Sequence, residues 1–292
     1  MTFEIVTPSY GPDFERCELL CASIDRFVTG HLRHVIVVDR CDRERFSPLE
    51  GPQRSVVVAE DILPRGLWRW PLKLGPMKRA VWLSTRARPV HGWHLQQIKK
   101  ILIALTASAD HLLFIDSDVV FVRPADLADL VVDGRLTHLR TTGGITADMP
   151  NHITWSANAS RLIGQPALDL PAPDNIGHLV PWRHDTALAM KAAIEAASGV
   201  DWITALLRTR QFSEYLLYGR FVEQVEGFDR HLPVEAGLCR SYWDPVPLDR
   251  AALRELFTSI DDHEVAVSIT STSGTSFADV RAVLEDLEPP GD

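Results

Sequence analysis

The chain has 292 residues, of which 46% are hydrophobic and 24% charged, a composition ordinary for a globular protein with a buried core. Its net charge of −9 argues against general nucleic-acid binding, and no segment approaches the ~20 uncharged apolar residues that would span a bilayer. The sequence starts directly with a strand pattern rather than a signal peptide, and its four cysteines form no metal-site pattern, so we expect a reducing, cytoplasmic location.

Three apolar strands and one helix are predicted before residue 62. Residues 3–7, 35–39 and 55–61 are predicted strands, and the apolar positions between Asp13 and Gly30 recur at helical spacing. All-apolar strands with an intervening helix are typical of a parallel sheet that is covered by helices. We therefore predict an α/β fold with a mostly parallel central sheet and helices on both faces.

Residues 62–100 contain no acidic residue, although the chain as a whole is acidic. They hold nine basic residues and half of the tryptophans. Proline and glycine predict loops and short helices in the first part, and residues 92–107 are a predicted helix with Trp93 facing inward. A basic, Trp-rich segment indicates an anionic partner, either a diphosphate over which it closes or a membrane that it contacts peripherally. A solvated surface loop is the alternative.

The apolar run of residues 112–115 ends in Asp116, Ser117 and Asp118. In extended backbone, Asp116 and Asp118 point to the same side. Carboxylates behind a buried strand lie where α/β sheets place their ligands, and two hard oxygen ligands suit Mg²⁺ or Mn²⁺. The alternative is a simple strand-ending turn, in which Asp and Ser are favoured.

The second half of the chain is predicted to alternate helices with loops. Asp201 is expected to cap one of the helices. We divide a single domain into residues 1–140 and 141–287, followed by a disordered tail at 288–292. The predicted strands are 135–140 and 265–269, the loops include 143–144 and 165–175, and the helices are 185–197, 211–219, 249–257 and 277–287.

Several motifs follow one another along the chain. They are Pro8-Ser9-Tyr10, the strand end at Asp39, the helix of Trp93 to Lys100, Phe114-Ile115-Asp116-Ser117-Asp118, and Phe212-Ser213-Glu214-Tyr215 with Tyr218-Gly219. In this order they resemble GT-A-fold glycosyltransferases, and the last one is similar to a block in uncharacterised bacterial GT-A-like families. The resemblance implies a GT-A-like fold, with a nucleoside-diphosphate sugar bound by residues 1–140 and a hydroxyl-bearing acceptor by residues 141–287. The acceptor class would be a carbohydrate, a natural product or a lipid-linked molecule.

The resemblance also implies roles for single residues. Asp118 would bind Mn²⁺ or Mg²⁺ directly, and Asp116 would reach the ribose, or the metal through water. Several GT-A families add a C-terminal histidine as a metal ligand, but His263 precedes its predicted strand, so the third ligand stays open. The implied donor-binding residues are Thr7, Ser9, Tyr10, Asp39, Gln96, Gln97, Lys100, Asp116 and Ser117. For the three on the helix, a solvated helix face is the alternative.

A carboxylate near the acceptor hydroxyl is needed for an inverting transfer. Glu214 is our first candidate and Asp185 the second, although an exposed helix glutamate and a helix cap are their structural alternatives. Aromatic rings stack on sugar faces, which makes an aromatic cluster in the second half a candidate acceptor site. Its members are His152, Trp155, His178, Trp182 and His184.

Two other functions fit part of the sequence. A nucleotidyltransferase acting on sugar phosphates shares the sheet and the metal carboxylates, but usually has a glycine-rich phosphate loop, and Ser9-Tyr10-Gly11-Pro12 contains one glycine. A non-catalytic carbohydrate-binding protein would keep the tryptophans without needing Asp116 and Asp118 together. The G-x-G-x-x-G pattern of dinucleotide-binding dehydrogenases does not occur in the sequence.

Overall fold

A computed structural model describes residues 1–70 and 81–287. Its strands are β1 (Phe3–Pro8), β2 (Val28–Thr29), β3 (His31–Val38), β4 (Arg54–Val58), β5 (Leu67–Arg69), β6 (Val81–Ser84), β7 (Val90–His91), β8 (His111–Ile115), β9 (Val119–Phe121), β10 (Ala125–Asp126), β11 (Val131–Val132), β12 (Arg135–Leu139), β13 (Thr141–Ile145), β14 (Ala172–Asp174), β15 (Leu179–Arg183), β16 (His231–Val234), β17 (Cys239–Tyr242) and β18 (Ala266–Ile269). Its α-helices are α1 (Phe14–Phe27), α2 (Arg43–Phe46), α3 (Ala59–Ile62), α4 (Gly92–Thr106), α5 (Pro150–Leu162), α6 (His184–Ser198), α7 (Trp202–Arg208), α8 (Glu214–Phe221), α9 (Arg250–Thr258) and α10 (Phe277–Asp286).

The central sheet has the strand order β15-β8-β1-β3-β4. Its β8, β1, β3 and β4 run parallel, and β15 pairs antiparallel with β8. The predicted α/β fold with a parallel-rich sheet is therefore confirmed. Because β15 comes from the second half of the chain, the two predicted halves share one sheet. The carboxyl ends of β1, β3 and β8 meet at the same edge.

Alternate side chains of the central strands enter two different apolar cores. Val6 and Phe114 pack in the core that contains α4, whereas Ile5 and Leu113 pack in the core that contains α1 and α10. This division follows from the period of two in a strand, and burying each large apolar side chain contributes ~1.5–3 kcal/mol. Helices thus cover both faces of the sheet. Within the described residues, no helix is long and apolar enough to cross a membrane.

A smaller sheet of order β17-β18-β9 joins the C-terminal part to the turn that carries Asp118. β18 pairs antiparallel with β9, and the backbone N–H of Ile269 donates to the carbonyl of Asp118 at 3.0 Å. The last strand therefore ends beside the carboxylates.

Several sequence predictions about local structure are wrong. Residues 59–61 of the third predicted strand belong to α3, and residues 172–174 of the predicted loop at 165–175 form β14. Residues 143–144 lie in β13 rather than a loop, because the positive φ of Gly143 and a register shift let an irregular strand continue. The first part of the basic segment forms antiparallel strands β5, β6 and β7, not loops and short helices, since Trp82 buries its side chain there. Trp93 is 47% exposed, not inward. Residues 71–80 of that segment and the predicted tail at 288–292 lie outside the described residues.

The helix predicted at 211–219 begins later than expected. Ser213 is its cap and accepts a hydrogen bond from the N–H of Leu216, so residues 211–213 precede α8. The capping role predicted for Asp201 is confirmed, because its carboxylate accepts from the N–H of Thr204. The helix α5 and the strands β14 to β17 were not predicted.

Candidate functional site

The carboxyl ends of β1, β3 and β8 border a cleft with a volume of about 1380 Å³. Drug-sized ligands typically occupy pockets of ~300–1,000 Å³, so this cleft has room for a larger ligand. Six of the predicted donor-binding residues line it: Ser9, Tyr10, Asp39, Gln96, Asp116 and Ser117. The predicted metal ligand Asp118 lines it as well.

Asp116 and Asp118 stand at the end of β8, but not in extended backbone as predicted. Ser117 and Asp118 form a turn, and the Ser117 hydroxyl donates to the Ser9 hydroxyl at 2.8 Å, which fastens the turn to the end of β1. Both carboxylates still reach the cleft. One oxygen of each, Oδ1, is buried without a hydrogen bond from any described residue. Burial, followed by the negative charge of Asp116, raises the pKa of Asp118 to about 6.

Lys100 lies directly behind Asp116 and is fully buried. Its Nζ donates to the Tyr215 hydroxyl at 2.7 Å and lies 2.9 Å from Glu214 Oε1 and 3.1 Å from Asp116 Oδ1. The contact with Asp116 lacks hydrogen-bond geometry, so it counts as an ion pair only. Burial alone would lower the pKa of Lys100, but the charges of Asp116 and Glu214 raise it well above its usual value. The lysine is therefore a buried cation between two carboxylates.

Glu214 is 2% exposed and does not line the cleft. Its backbone N–H donates to Gln97 Oε1 at 3.1 Å, and burial raises the pKa of its carboxyl, while Lys100 opposes that shift. Gln97 is itself buried rather than facing the cleft. The structure thus brings together Gln97, Lys100, Asp116 and Glu214, which were predicted from separate motifs. It places all of them except Asp116 behind the cleft wall.

The wall near Asp39 is cationic. Lys99 Nζ donates to Asp39 Oδ1 at 2.5 Å, and Arg69 Nε lies 3.5 Å from Asp39 Oδ2. The first turn of α4, which begins at Gly92 on this wall, has no acidic residue and no side-chain cap, so its free N–H groups add positive potential. This side of the cleft therefore combines two cations and the start of a helix with the carboxylates of Asp39 and Asp42.

Thr7 and Asp185 lie outside the cleft. The Thr7 hydroxyl is buried and lies 2.9 Å from His34 Nε2, so it links the neighbouring strands β1 and β3. Asp185 follows Arg183, which pairs with His111 at the start of β8, whereas Asp116 follows the end of that strand. Five residues at ~3.3 Å each separate the two ends. Hydrogen bonds from Arg183 lower the pKa of Asp185 to about 2. The structure corrects the prediction that Asp185 belongs to the site, because β15 runs antiparallel.

The predicted aromatic cluster is divided in the structure. The Trp155 ring packs at a tilt against Trp93, with ring centres 5.3 Å apart, and against His152 at 4.9 Å, and Trp93 lines the cleft. His178 precedes Leu179, which pairs with Ile115, so His178 lies on the β15 side of Asp116. Its ring packs at a tilt, 5.5 Å away, against Trp243, a tryptophan that the cluster did not include.

The other two members have structural roles. Trp182 is fully buried and stacks on Tyr218 at 4.3 Å. His184 Nδ1 bonds the Ala104 carbonyl at 2.8 Å. Neither residue is available to a ligand in the cleft.

A family match covers nearly the whole chain. The family model of DUF6492, a family of unknown function, matches residues 3–291. The chain belongs to this family. No curated protein matches the chain. The matched residues include β1, β3 and β8, which border the cleft, and the C-terminal strand β18. All the residues of the site therefore lie within the match.

Among the described residues of this DUF6492 chain, Asp261, His263 and Glu264 have ligand atoms within 4.8 Å of one another. Arg240 already binds two of them, at 3.0 Å from Asp261 and 2.8 Å from Glu264. The group precedes β18, whereas Asp118 contacts the other end of that strand. These residues are therefore a surface ion-pair group and not a continuation of the Asp116–Asp118 site.

Sequence reasoning missed several residues of the cleft. Asp13 and Arg16 line it near Asp118 and form an ion pair at 2.7 Å. Side chains three residues apart on a helix are neighbours, so the predicted helix from Asp13 could have suggested this pair. Ser271 lines it because β18 delivers the chain there, a pairing that no local pattern reveals. Lys99 and Arg69 were noted as basic residues, but not as partners of Asp39.

Proposed function

We propose that this chain is a metal-dependent glycosyltransferase with a GT-A-like fold, which moves a sugar from a nucleoside-diphosphate sugar to a hydroxyl-bearing acceptor. One observation carries the proposal: Asp116 and Asp118 line one large cleft, and the buried Oδ1 of Asp118 has no hydrogen-bond partner among the described residues, while the buried Oδ1 of Asp116 has only its ion pair with Lys100. A cation would satisfy the Asp118 oxygen beside a second carboxylate. A diphosphate on that cation would also meet Lys99 and Arg69, which line the same cleft.

The donor set fits Mn²⁺ or Mg²⁺, which prefer hard oxygen ligands and keep several positions for phosphate and water. Asp118 would bind the ion directly, and Asp116 would assist. The raised pKa of Asp118 fits this assignment, because a bound cation would stabilise a carboxylate that burial and, after it, the charge of Asp116 make harder to ionise. When bound, the metal would supply Lewis-acid stabilisation of the charge that develops on the departing diphosphate.

The remaining roles follow from where each side chain lies. Ser9, Tyr10 and Asp39, at the ends of β1 and β3, would hold the nucleoside, and Lys99 donates a hydrogen bond to Asp39. The acceptor would approach from the β15 side of Asp116, where the rings of His178 and Trp243 pack at a tilt. Burial favours a positioning role for Glu214, in which it shares Lys100 with Asp116, over the general-base role predicted from its motif.

The test is calorimetric titration with a panel of nucleoside diphosphates, with and without Mn²⁺. Wild-type protein should bind at least one nucleotide only when Mn²⁺ is present, and Asp118→Asn should lose that binding. Asp261→Asn, a carboxylate in the ion-pair group at the other end of β18, is the matched control and should bind normally.

The catalytic part of the proposal is tested by release of nucleoside diphosphate from the corresponding nucleotide-sugars. Release should need Mn²⁺ and should rise when a hydroxyl-bearing acceptor is added. Binding that is equal in EDTA, or a complete lack of nucleotide binding across the panel, would reject the proposed function.

A further inference from the structure

The hairpin formed by β5 and β6 has two chemically different faces. Arg69 pairs with Trp82 across the hairpin, and both side chains line the cleft. Trp68 and Trp70, on either side of Arg69, are 46% and 38% exposed. Neighbouring residues of an extended chain point to opposite sides, so the outer face presents two indoles while the inner face serves the cleft.

Two exposed arginines lie at one end of the hairpin. Arg65 and Arg88 are exposed, and neither has an ion-pair partner among the described residues, whereas Arg86 is paired with Asp201 at 2.9 Å. The N–H of Thr85 donates to the Gly66 carbonyl at 3.1 Å, which draws the two arginine-bearing loops to the same end of the hairpin. This positive charge is concentrated in a chain whose net charge is −9.

Exposed tryptophans and exposed arginines on one hairpin favour a particular kind of partner. Exposed indoles cost free energy in water, but tryptophan is favoured at a membrane interface, where its ring is apolar and its N–H stays wet. Exposed arginines nearby are attracted to anionic headgroups. A duplex nucleic acid would explain the arginines but not the indoles, and the net charge of −9 disfavours any nucleic acid.

We propose that the outer face of this hairpin, with Trp68 and Trp70, and the end that carries Arg65 and Arg88 attach the protein to the surface of an anionic lipid bilayer. The attachment is peripheral and does not depend on the proposed glycosyltransferase activity.

The experiment is flotation of the full chain with vesicles of phosphatidylcholine alone and of phosphatidylcholine with phosphatidylglycerol. We expect binding only to the anionic vesicles, and weaker binding at high salt because the charges are screened. Arg65→Ala with Arg88→Ala should lower the partition coefficient about thirtyfold, since each basic residue near such a surface contributes ~1 kcal/mol. Trp68→Ala with Trp70→Ala should lower it at least as much.

Leu32→Ala is the control, because Leu32 is 52% exposed but lies near the start of β3, away from the basic segment and outside the cleft lining. It should bind vesicles like the wild type. Equal binding to neutral and anionic vesicles, unchanged binding of either double variant, or an equal loss with Leu32→Ala would overturn the proposal.

Measuring nucleotide and Mn²⁺ binding by the same variants distinguishes the proposed membrane attachment from the proposed glycosyltransferase function. The double variants should retain it, which would also show that they are folded. A protein that floats with anionic vesicles but binds no nucleotide would leave the membrane attachment standing and reject only the proposed function.

Discussion

The substitution Glu214→Gln distinguishes a positioning role from a general-base role. Glu214 is buried against Lys100, whose other carboxylate partner is Asp116. Glutamine preserves the shape of the side chain but removes its charge. In the structure, this leaves the buried lysine with a single carboxylate, and that carboxylate is the one proposed to assist metal binding.

The cost can be worked from these contacts. Removing one partner of a buried ion pair typically costs ~3–5 kcal/mol. Lys100 keeps Asp116 at 3.1 Å and the Tyr215 hydroxyl at 2.7 Å, and glutamine retains an acceptor oxygen. We therefore expect the free energy of unfolding to fall by ~2–4 kcal/mol. Lys100 should also compete more strongly for Asp116, which weakens Mn²⁺-dependent nucleotide binding.

Urea denaturation and calorimetric titration of the same variant measure both effects. Asp185→Asn is the matched control, because this half-exposed carboxylate is also ion-paired, but lies at the other end of β8 and should cost less than ~1 kcal/mol. A general base would behave differently, with wild-type stability and donor affinity and a kcat reduced ~10²–10⁴-fold. That result would refute the positioning role and restore the role predicted from the motif.

Three further predictions concern the metal site. Asp118→Asn should abolish Mn²⁺-dependent transfer. Because the substitution removes a buried contact between like charges, the metal-free variant should melt no lower than the wild type above pH 6. A sharply lower melting temperature in calorimetry would contradict this prediction. Because the pKa of Asp118 is raised to about 6, its contribution to metal-free stability is present in acid and is lost as the pH rises through 6. Protons compete with the metal for the same carboxylate, so Mn²⁺ affinity should fall about tenfold for each pH unit below 6, and a flat titration series between pH 4.5 and 6 would exclude Asp118 as the ligand. His263→Ala should leave the Mn²⁺ dependence of binding unchanged, and a weakened dependence would return His263 to the site.

The central sheet could be predicted because its signal is local. The strand β8 is buried on both faces, so its sequence is continuously apolar. Asp116 follows its carboxyl end, and ligands bind at this edge of a parallel sheet. Asp39, which follows the end of β3, could be placed at the same edge for the same reason. These positions depend only on strand period and on the parallel arrangement.

The roles of Lys100, Glu214 and Asp185 could not be predicted because they depend on how distant elements meet. Helical spacing separates Lys100 from the apolar face of α4, but does not reveal that α8 packs there and supplies Glu214. Sequence also gives no direction for β15, and reversing that strand decides whether Asp185 lies beside Asp116 or at the other end of the sheet. Polar residues that satisfy each other in a core look like exposed ones until their partners are known.

The pairing of β18 with β9 has a consequence for the order in which this protein forms during synthesis. The strand β1 is made first and lies at the centre of the main sheet, yet the Asp118 carbonyl acquires its backbone partner only when Ile269 has emerged. A nascent chain that stops before this residue can assemble much of the parallel sheet, but leaves the turn between β8 and β9 without its supporting strand. Closing so long a loop is slow, so the turn that carries Asp118 is held on every side only late in folding, after β18 has been made and has paired with β9.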